Sequence, residues 1–400
     1  MPICKKAITG NDISVNISQQ TACGLIDANP VFSEVDRVSG KPERTNNYTK
    51  SAQVKKGRQA RVNVKESETL ETTIEFEVNE NMVGYLENAF YNDFTTFFDY
   101  TATATIDIDN TANTITDSAN GFTGLEAGQW VFVSDADSVE IDAKSFYIES
   151  KTNDGEIVVT AGQLAAIETG ITGTFKATML RTGDKTKYLT IQRRVKNLNA
   201  VADDTDFETQ IDALVGSLSL TVPASGILTG SLALTAASIA SEKLKITGQT
   251  DTAYVQKEVL SSCDAVDTSI WIDFSKTDAG FTTFSMELNN NVQTIQQAGL
   301  CTPGAIAAGT LTAGGDLGSI AFEENPLREV YKYNEGERFA ITIPLKTPEG
   351  NSIYLTVRKA LYTEATIPDG DEVIETSGTY DAEEDLYQTT VQLDMNFSHE

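Results

Sequence analysis

Apolar and polar residues alternate with a period of two along several long stretches of the chain. In residues 70–78, one face of the predicted strand consists of Leu70, Thr72, Ile74, Phe76 and Val78, and the opposite face is rich in glutamate. Residues 214–222 and 227–235 alternate in the same way on either side of a short turn, and residues 387–397 repeat the pattern. Such alternation predicts long antiparallel strands with one buried face and one polar face.

Helical signals are few. Asn79 is a suitable N-cap for a helix over 80–91, in which Met82, Leu86 and Phe90 recur at four-residue spacing. Asn325 followed by proline predicts the start of a second helix. Residues 291–298 fit either a short helix or a continuing strand. The predicted fold class is therefore mainly β.

Two segments with similar sequences indicate an internal duplication. Residues 74–79 read Ile-Glu-Phe-Glu-Val-Asn and residues 320–325 read Ile-Ala-Phe-Glu-Glu-Asn, with Tyr85 and Tyr331 at the same spacing beyond them. Each segment predicts a strand, an asparagine cap and a helix, followed by further strands. The following strands are expected at 188–194 and 214–235 in the first copy, and at 339–345, 353–358 and 387–397 in the second.

An additional segment, 99–180, lies between the first helix and the strand that follows it. Short strand-like runs separated by turn residues fill it, and it has 13 acidic residues against three lysines. A loop of this length rarely lacks structure. We therefore expect a self-contained small β-barrel or sandwich that is inserted in a loop and faces solvent.

The charge of the chain limits its interactions with nucleic acids. Its 400 residues carry a formal net charge of -28, from 58 acidic and 30 basic side chains. Nucleic-acid binding needs clustered lysine and arginine, so this composition argues against a sequence-reading DNA-binding protein. It is compatible with a surface past which DNA slides. The sequence shows neither a signal peptide nor an apolar run of about 20 residues, which predicts a protein kept in the cytoplasm unless a particle carries it out.

Residues for catalysis are scarce. The single histidine is His399, next to the last residue, so histidine-dependent nucleophiles and most zinc sites are not expected. No phosphate-binding or dinucleotide-binding motif occurs, and neither a cofactor nor a metal site is predicted. The four cysteines are far apart, and we expect them to be reduced and mostly buried. Carboxylates are abundant enough to leave a glycosidase-type acid pair open.

Most of the chain outside 99–180 resembles the tail tube proteins of non-contractile, long-tailed bacteriophages. The resemblance is carried by NPVFSEVDRVSGKPERTNNYTK, LETTIEFEVNENMVGYLENAFY, KYLTIQRRVKN, LVGSLSLTVPASGILTGSLALTA, FTTFSMELNNNV and FAITIPLKTPEGNSIYLTVRKA. It implies a duplicated tail-tube fold of antiparallel sheets with a short helix each, which forms a β-barrel between subunits. The first repeat would comprise 1–98 and 181–240, the second 241–400, and 99–180 would be a small all-β domain on the outer surface.

The same resemblance implies a structural virion protein, assembled in the host cytoplasm, that performs no chemistry. Such proteins form rings, here a hexamer or a trimeric pseudo-hexamer, that stack into a hollow tube. The implied partners are further copies of the chain, a tape-measure protein, and the tail terminator and tail-tip proteins. DNA would pass through without specific binding, and no membrane contact is expected.

The polar faces of the predicted strands would then line the bore. The lumen candidates are Glu71, Glu75, Glu77, Ser217, Ser219, Thr221, Thr229, Ser231, Gln392 and Asp394. Cations that would contact an adjacent ring come from the polar N-terminal part and are Arg44, Lys50, Lys55, Lys56, Arg58 and Arg61. Both sets also fit residues that simply face bulk water. The rival functions are a β-rich binding module, such as an adhesin, fibre or decoration protein, and a hydrolase with a carboxylate pair.

Overall fold

The computed structural model describes residues 13–50, 63–196, 205–240, 245–265, 270–276, 280–320, 333–366 and 375–398. The chain is mainly antiparallel β structure. The strands before α1 are β1 (Ile13–Gln19), β2 (Val31–Glu34), β3 (Pro42–Lys50) and β4 (Asn63–Glu77), and α1 is Glu80–Phe90. Those up to residue 240 are β5 (Phe98–Asp109), β6 (Thr114–Asp117), β7 (Trp130–Ser134), β8 (Ser145–Asn153), β9 (Glu156–Val159), β10 (Glu168–Arg181), β11 (Leu189–Lys196), β12 (Thr205–Val222) and β13 (Thr229–Ile239).

The remaining elements belong to the second half of the chain. They are β14 (Thr250–Asp251), α2 (Ser262–Ala265), β15 (Trp271–Ile272), β16 (Ser275–Lys276), β17 (Gly280–Asn289), β18 (Gln293–Gln296), β19 (Pro303–Ala307), β20 (Thr312–Ile320), β21 (Arg338–Lys346), β22 (Ser352–Thr366), β23 (Glu375–Ala382) and β24 (Val391–Met395). Residues 291–298 thus contain a strand rather than a helix. The helix predicted from Asn325 lies outside the described residues.

The strand order is the same in the two halves of the chain. In the first half, antiparallel neighbours run β3–β4–β13–β12–β11–β1. In the second half they run β17–β20–β23–β22–β21–β15. The predicted duplication is therefore visible as a repeated sheet. The two copies are joined edge to edge, because the second half of β12 pairs with β17.

Irregularities in the ladders recur at matching places. The β12–β13 ladder shifts register between Val215 and Ser217, and the β22–β23 ladder shifts between Tyr362 and Glu364. The β11–β12 and β21–β22 ladders each shift register at the start of β11 and β21. Because such bulges are conserved features of a fold, their recurrence fixes which residues of the two halves are equivalent.

These ladders correct the sequence match on which the duplication was predicted. Ile74 lies opposite Leu232 of β13, and at the equivalent rung of the second half Leu317 lies opposite Gly378. The sequence had matched Ile74 with Ile320, three residues further along. A displacement by an odd number of residues moves a side chain to the other face of a strand, so the structural equivalence is the one with a consistent core face.

The helix α1 forms as predicted and packs against the main core. The Asn79 side chain accepts a hydrogen bond from the Met82 backbone N–H at 3.3 Å, which satisfies one unpaired donor of the first turn. Met82, Leu86 and Phe90 are all buried in the core that the two sheets share. Tyr91 ends the helix in the left-handed conformation, with φ 52°.

Residues 98–181 form a closed six-stranded antiparallel barrel. Its strands follow the order β5–β6–β9–β8–β7–β10, and β10 returns to pair with β5. It has its own apolar core, which includes Phe122, Phe146, Phe175 and Ile157. Closure leaves this barrel without open strand edges. The expectation of a small inserted all-β domain is confirmed.

Candidate functional site

A continuous polar surface crosses both halves of the chain, on the side of the sheet away from the core. One rung runs from Glu75 through Ser231 and Ser219 to Glu287. The next runs from Glu77 through Thr229 and Thr221 to Ser285. We call this surface the polar face. It extends over β20, β23 and β22 through Asp316, Asp381 and Glu364.

The polar face is acidic and rich in hydroxyl groups. Both rungs and their extension contain glutamate, aspartate, serine, threonine and glycine, and neither contains lysine or arginine. The Ser285 hydroxyl donates to Asp316 Oδ2 at 3.1 Å, and the Ser219 and Ser231 hydroxyls lie 3.0 Å apart. The surface therefore offers DNA phosphates no cation within these rungs.

Close packing beneath the polar face holds β17 and β20 together. The buried Tyr380 hydroxyl donates to the Ser285 carbonyl oxygen at 2.9 Å, and burial raises the pKa of this tyrosine. Gly315 is required here because a Cβ atom at this position would lie 1.9 Å from the same Ser285 oxygen. The polar face is thus a fixed surface at this point.

Eight of the ten lumen candidates lie on this one surface. Glu71, Glu75, Glu77, Ser217, Ser219, Thr221, Thr229 and Ser231 share the side of β4, β13 and β12 that faces away from the core, and all are exposed or half-buried. The lumen position is wrong for Gln392 and Asp394, which are completely buried. Sequence reasoning missed Ser285, Glu287 and Asp316, although Ser285 and Glu287 alternate with the apolar residues Phe284, Met286 and Leu288.

The basic candidates are only partly described. Arg44 lies on β3 and forms an ion pair with Glu68, which the Lys65 ammonium also contacts. Glu68 is buried, and hydrogen bonds and charge from these two cations lower its pKa although burial, the largest single influence, opposes them. Lys50 is exposed at the end of β3. Lys55, Lys56, Arg58 and Arg61 lie outside the described residues.

Aromatic side chains attach the barrel to the second half of the chain. Trp130 of β7 is fully buried, and its ring centre lies 5.0 Å from that of Trp271 and 4.9 Å from that of Tyr354. Tyr147 of β8 stacks on Phe274 at 3.6 Å. We call this cluster the aromatic dock. The barrel therefore does not face solvent on all sides, because the aromatic dock covers one of them.

A buried polar network lies beside the aromatic dock. Arg358 donates to Asp385 Oδ2 at 2.8 Å, to the Gly128 carbonyl at 2.8 Å and to Gln392 Oε1 at 3.1 Å. Arg181 donates to the same Gln392 oxygen at 3.0 Å. This network of hydrogen-bonded, buried side chains therefore joins the barrel to the rest of the chain, which we call the body.

Asp394 is the most perturbed carboxyl group of this network. Burial raises its pKa to about 7, although hydrogen bonds from Gln392 and the Trp130 backbone, together with the positive charges of Arg181 and Arg358, lower it. Its oxygens accept from the backbone N–H of Trp130 at 3.1 Å and from Gln392 Nε2 at 2.7 Å. Since one of these donors, Trp130, belongs to the aromatic dock and the other, Gln392, to the buried network beside it, the protonation of Asp394 is coupled to the attachment of the barrel.

This coupling predicts a pH-dependent stability. Between its ordinary pKa of 3.8 and about 7, folded Asp394 holds a proton that the unfolded chain has released, so stability falls as the pH rises through this window. D394N does not have this titrating group. The free energy of unfolding of D394N minus that of the parent should therefore increase between pH 5 and pH 8, by on the order of a few kcal/mol. Urea unfolding of both proteins at these pH values checks this. The prediction would be contradicted if the two proteins differed in free energy of unfolding by the same amount at both pH values.

Metal-binding and redox features are limited in the described parts of the chain. These residues contain no cluster of three or more histidine, cysteine, aspartate or glutamate side chains arranged for a metal ion. Cys23, Cys263 and Cys301 are free and exposed, so the expectation that the cysteines are mostly buried is wrong for these three. Among the described helices, none is long and apolar enough to cross a membrane.

Comparison with known proteins gives one family match, which spans most of the chain. The family model for phage tail tube proteins matches residues 10–383, which is nearly the whole chain. A search of curated proteins returned no match. Because the family match covers both repeats as well as the inserted barrel, the chain belongs to the phage tail tube protein family.

Proposed function

We propose that copies of this chain assemble into rings that stack as the phage tail tube, with the polar face lining a bore through which DNA is ejected. The observation that carries this proposal is the continuity of the polar face across the two repeats of one chain. A surface that crosses a repeat junction without interruption is what a ring of such repeats would present along its inner wall.

The proposed ring contains three chains, each of which contributes two repeats. Residues 1–98 with 181–240 form the first repeat in this proposal, and residues 241–400 form the second. The joint between β12 and β17 is then the first of six equivalent joints around the ring. A tape-measure protein would fill the bore before DNA, and terminator and tail-tip proteins would close the ends.

The position of the aromatic dock supports an outer location for the barrel. Ile353, Leu355 and Val357 of β22 point into the shared core. Tyr354, on the opposite side of the same strand, contacts the barrel, whereas Glu364 further along belongs to the polar face. The barrel therefore attaches near the start of β22, whereas the polar face crosses β22 near its end, so the attached barrel leaves the polar face free to line a bore.

The β3–β4 hairpin supports a contact between rings. Most side chains of β3 are exposed, and a two-stranded ribbon is only marginally stable by itself. Lys50 and the cations of the segment that follows would reach an acidic surface of the adjacent ring. Assembly would then bury a hairpin that the single chain leaves in solvent.

Electron microscopy of the concentrated purified protein tests the assembly. Hollow tubes with a regular axial repeat and threefold or sixfold symmetry are expected. Particles that stay monomeric at high concentration, and also in the presence of the tape-measure protein, would instead favour a β-rich binding module.

Adding positive charge to the polar face tests its role in DNA passage. In phage particles assembled with the double variant E75K/E287K, we expect infectivity per particle to fall at least about tenfold, because lysines repeated in every ring would pair with DNA phosphates. The matched control is E75Q/E287Q, which removes the same carboxylates without adding cations. Plaque counts normalised to particle number measure the effect. Equal infectivity of the two variants would exclude this surface from the bore.

A further inference from the structure

The joint between the repeats has a defined register inside one chain. Residues 217–222 of β12 pair with 284–289 of β17, just beyond the point at which β11 leaves the same edge of β12. Asn290 N–H donates to the Gly216 carbonyl at 2.8 Å. This bond makes Ser217 and Asn289 a non-hydrogen-bonded pair, the kind in which opposite side chains come closest.

The second repeat has the same edge without a strand on it. β22 takes the place of β12, and its ladder with β21 ends at Leu361. Beyond it, the edge of residues 364–366 that faces away from β23 pairs with no strand of the described chain. By the shared bulge positions, Glu364 is equivalent to Ser217.

The first repeat has the complementary edge, and no strand among the described residues pairs with it. Residues 40–45 take the place of 284–289, because β3 stands to β4 as β17 stands to β20. The outer side of this segment borders an open groove of about 560 Å³ lined in part by Val38, Gly40 and Glu43. An open strand edge next to a groove is a site to which another strand can add.

Building on the proposed function, we infer that residues 364–366 of one copy pair antiparallel with residues 43–45 of the next copy. The register copied from the internal joint places Glu364 opposite Thr45, Ala365 opposite Arg44 and Thr366 opposite Glu43. The lateral contact between copies thus repeats the contact inside the chain, and the polar face continues from one copy to the next.

Residue types at the two joints agree with this register. Glu43, Asn46 and Asn47 of the first repeat correspond to Glu287, Asn290 and Asn291 of the second, with the same spacing. Three matching identities over five positions support an equivalent role for the two segments.

Asn290 shows what its counterpart would do. Its side-chain amide is buried and donates to the carbonyls of Ala89, in the last turn of α1, and Val215, each at 3.0 Å. The Asn46 amide is half-buried, and within the described chain it has no hydrogen-bond partner. In the inferred joint it would reach the Tyr362 carbonyl of the adjacent copy, the equivalent of Val215. Arg44 accordingly lies at the lateral joint rather than between rings.

Cysteine pairing tests the register. In a protein whose native cysteines are all replaced by serine, T45C/E364C should form disulfides between copies under mild oxidation, because a non-hydrogen-bonded pair has Cα atoms about 4.5 Å apart, within disulfide range. The matched control is N47C/E364C, in which one partner is moved by two residues along the same strand. Non-reducing gels of assembled tubes should show a ladder that ends at the trimer for T45C/E364C, and mostly monomer for the control.

Two other results would overturn the inference. If tubes form but T45C/E364C stays monomeric, or the control cross-links better, the register is wrong while the tube function stands. If the serine-substituted parent forms no rings or tubes by electron microscopy, although the unsubstituted protein does, the pair is introduced into the unsubstituted protein instead. If the unsubstituted protein also forms none, either alone or with the tape-measure protein, the proposed function fails together with the joint.

Discussion

Replacing Trp130 with alanine is expected to lower the free energy of unfolding by about 3–5 kcal/mol, the cost of deleting a large aromatic side chain from a packed core. The Trp130 ring is fully buried, and it contacts Trp271, Tyr354 and Tyr147 within 5.6 Å between ring centres. Its loss leaves a cavity that these neighbours, which belong to three other strands, cannot all close. The barrel should therefore loosen from the body.

Tryptophan fluorescence provides the measurement. The chain has two tryptophans, and both belong to the aromatic dock. In W130A the remaining Trp271 should emit at longer wavelength, since the loosened dock admits water, and urea unfolding should give the loss of stability. The control is Val139→Ala on the barrel surface, where the side chain is 83% exposed and the change should stay within about 0.5 kcal/mol. Equal stability of the two variants would show that the dock does not hold the barrel.

Arg358→Ala is expected to be similarly destabilising, by about 3–5 kcal/mol, for a different physical reason. The Arg358 side chain is 3% exposed, and its ion-pair partner Asp385 is 11% exposed. Removing the guanidinium leaves the Asp385 carboxylate, the Gly128 carbonyl and Gln392 Oε1 without this donor in a region that excludes water. Arg181 still donates to Gln392 Oε1 and Gln392 Nε2 still donates to the Gly128 carbonyl, so the penalty comes mainly from the buried Asp385 carboxylate, which loses its charged partner.

The chain offers a matched control for this arginine. Arg338 forms an ion pair with Glu383 at 3.1 Å, but both side chains are substantially exposed. Water replaces the lost contact there, so Arg338→Ala should change the urea midpoint far less than Arg358→Ala. R358K should fall between the parent and R358A, because lysine keeps the charge but not the planar set of donors. Similar midpoints for R338A and R358A would show that burial does not control the strength of this pair.

Local patterns in the sequence predicted strands and faces well where one side of a strand is polar and the other packs on the core. The alternation in 70–78 gave the buried positions Leu70, Ile74 and Phe76 correctly. Asn79 was recognised as a cap because a capping side chain acts within three residues of its own position. Strand faces and helix caps depend on residues that are close in sequence, so they can be predicted from the sequence alone.

The prediction failed where a distant segment covers the polar side of a strand. Residues 387–397 alternate like the other strands, but the observed strand is β24, Val391–Met395, and all five of its residues are buried. Gln392 and Asp394 face the barrel: the backbone N–H of Trp130, in the barrel, donates to Asp394, and Arg358, on β22, donates to Gln392. Polar residues that pair inside a protein and polar residues that face water give the same alternation, so the pattern could not separate them.

The repeated sheet was predicted in outline, although its register was not. Short matches such as those around Ile74 and Ile320 carry too little information to align two copies to the residue. The bulges at Gly216 and Thr363 carry that information, but a bulge has no clear signature when the residue is threonine. The polar positions Ser285, Glu287 and Asp316 were missed for the same reason, since they become part of the face only after the two copies are aligned.

The ends of the inserted barrel have an implication for how such tails diversify. Phe98 and Ala177 pair side by side where the barrel leaves the body. If the barrel were removed, a short connection between these two neighbouring positions could close the gap, so the rest of the chain could exchange this module for another of different sequence. A new module can thus be inserted at this one pair of neighbouring residues while the two repeated sheets keep their geometry.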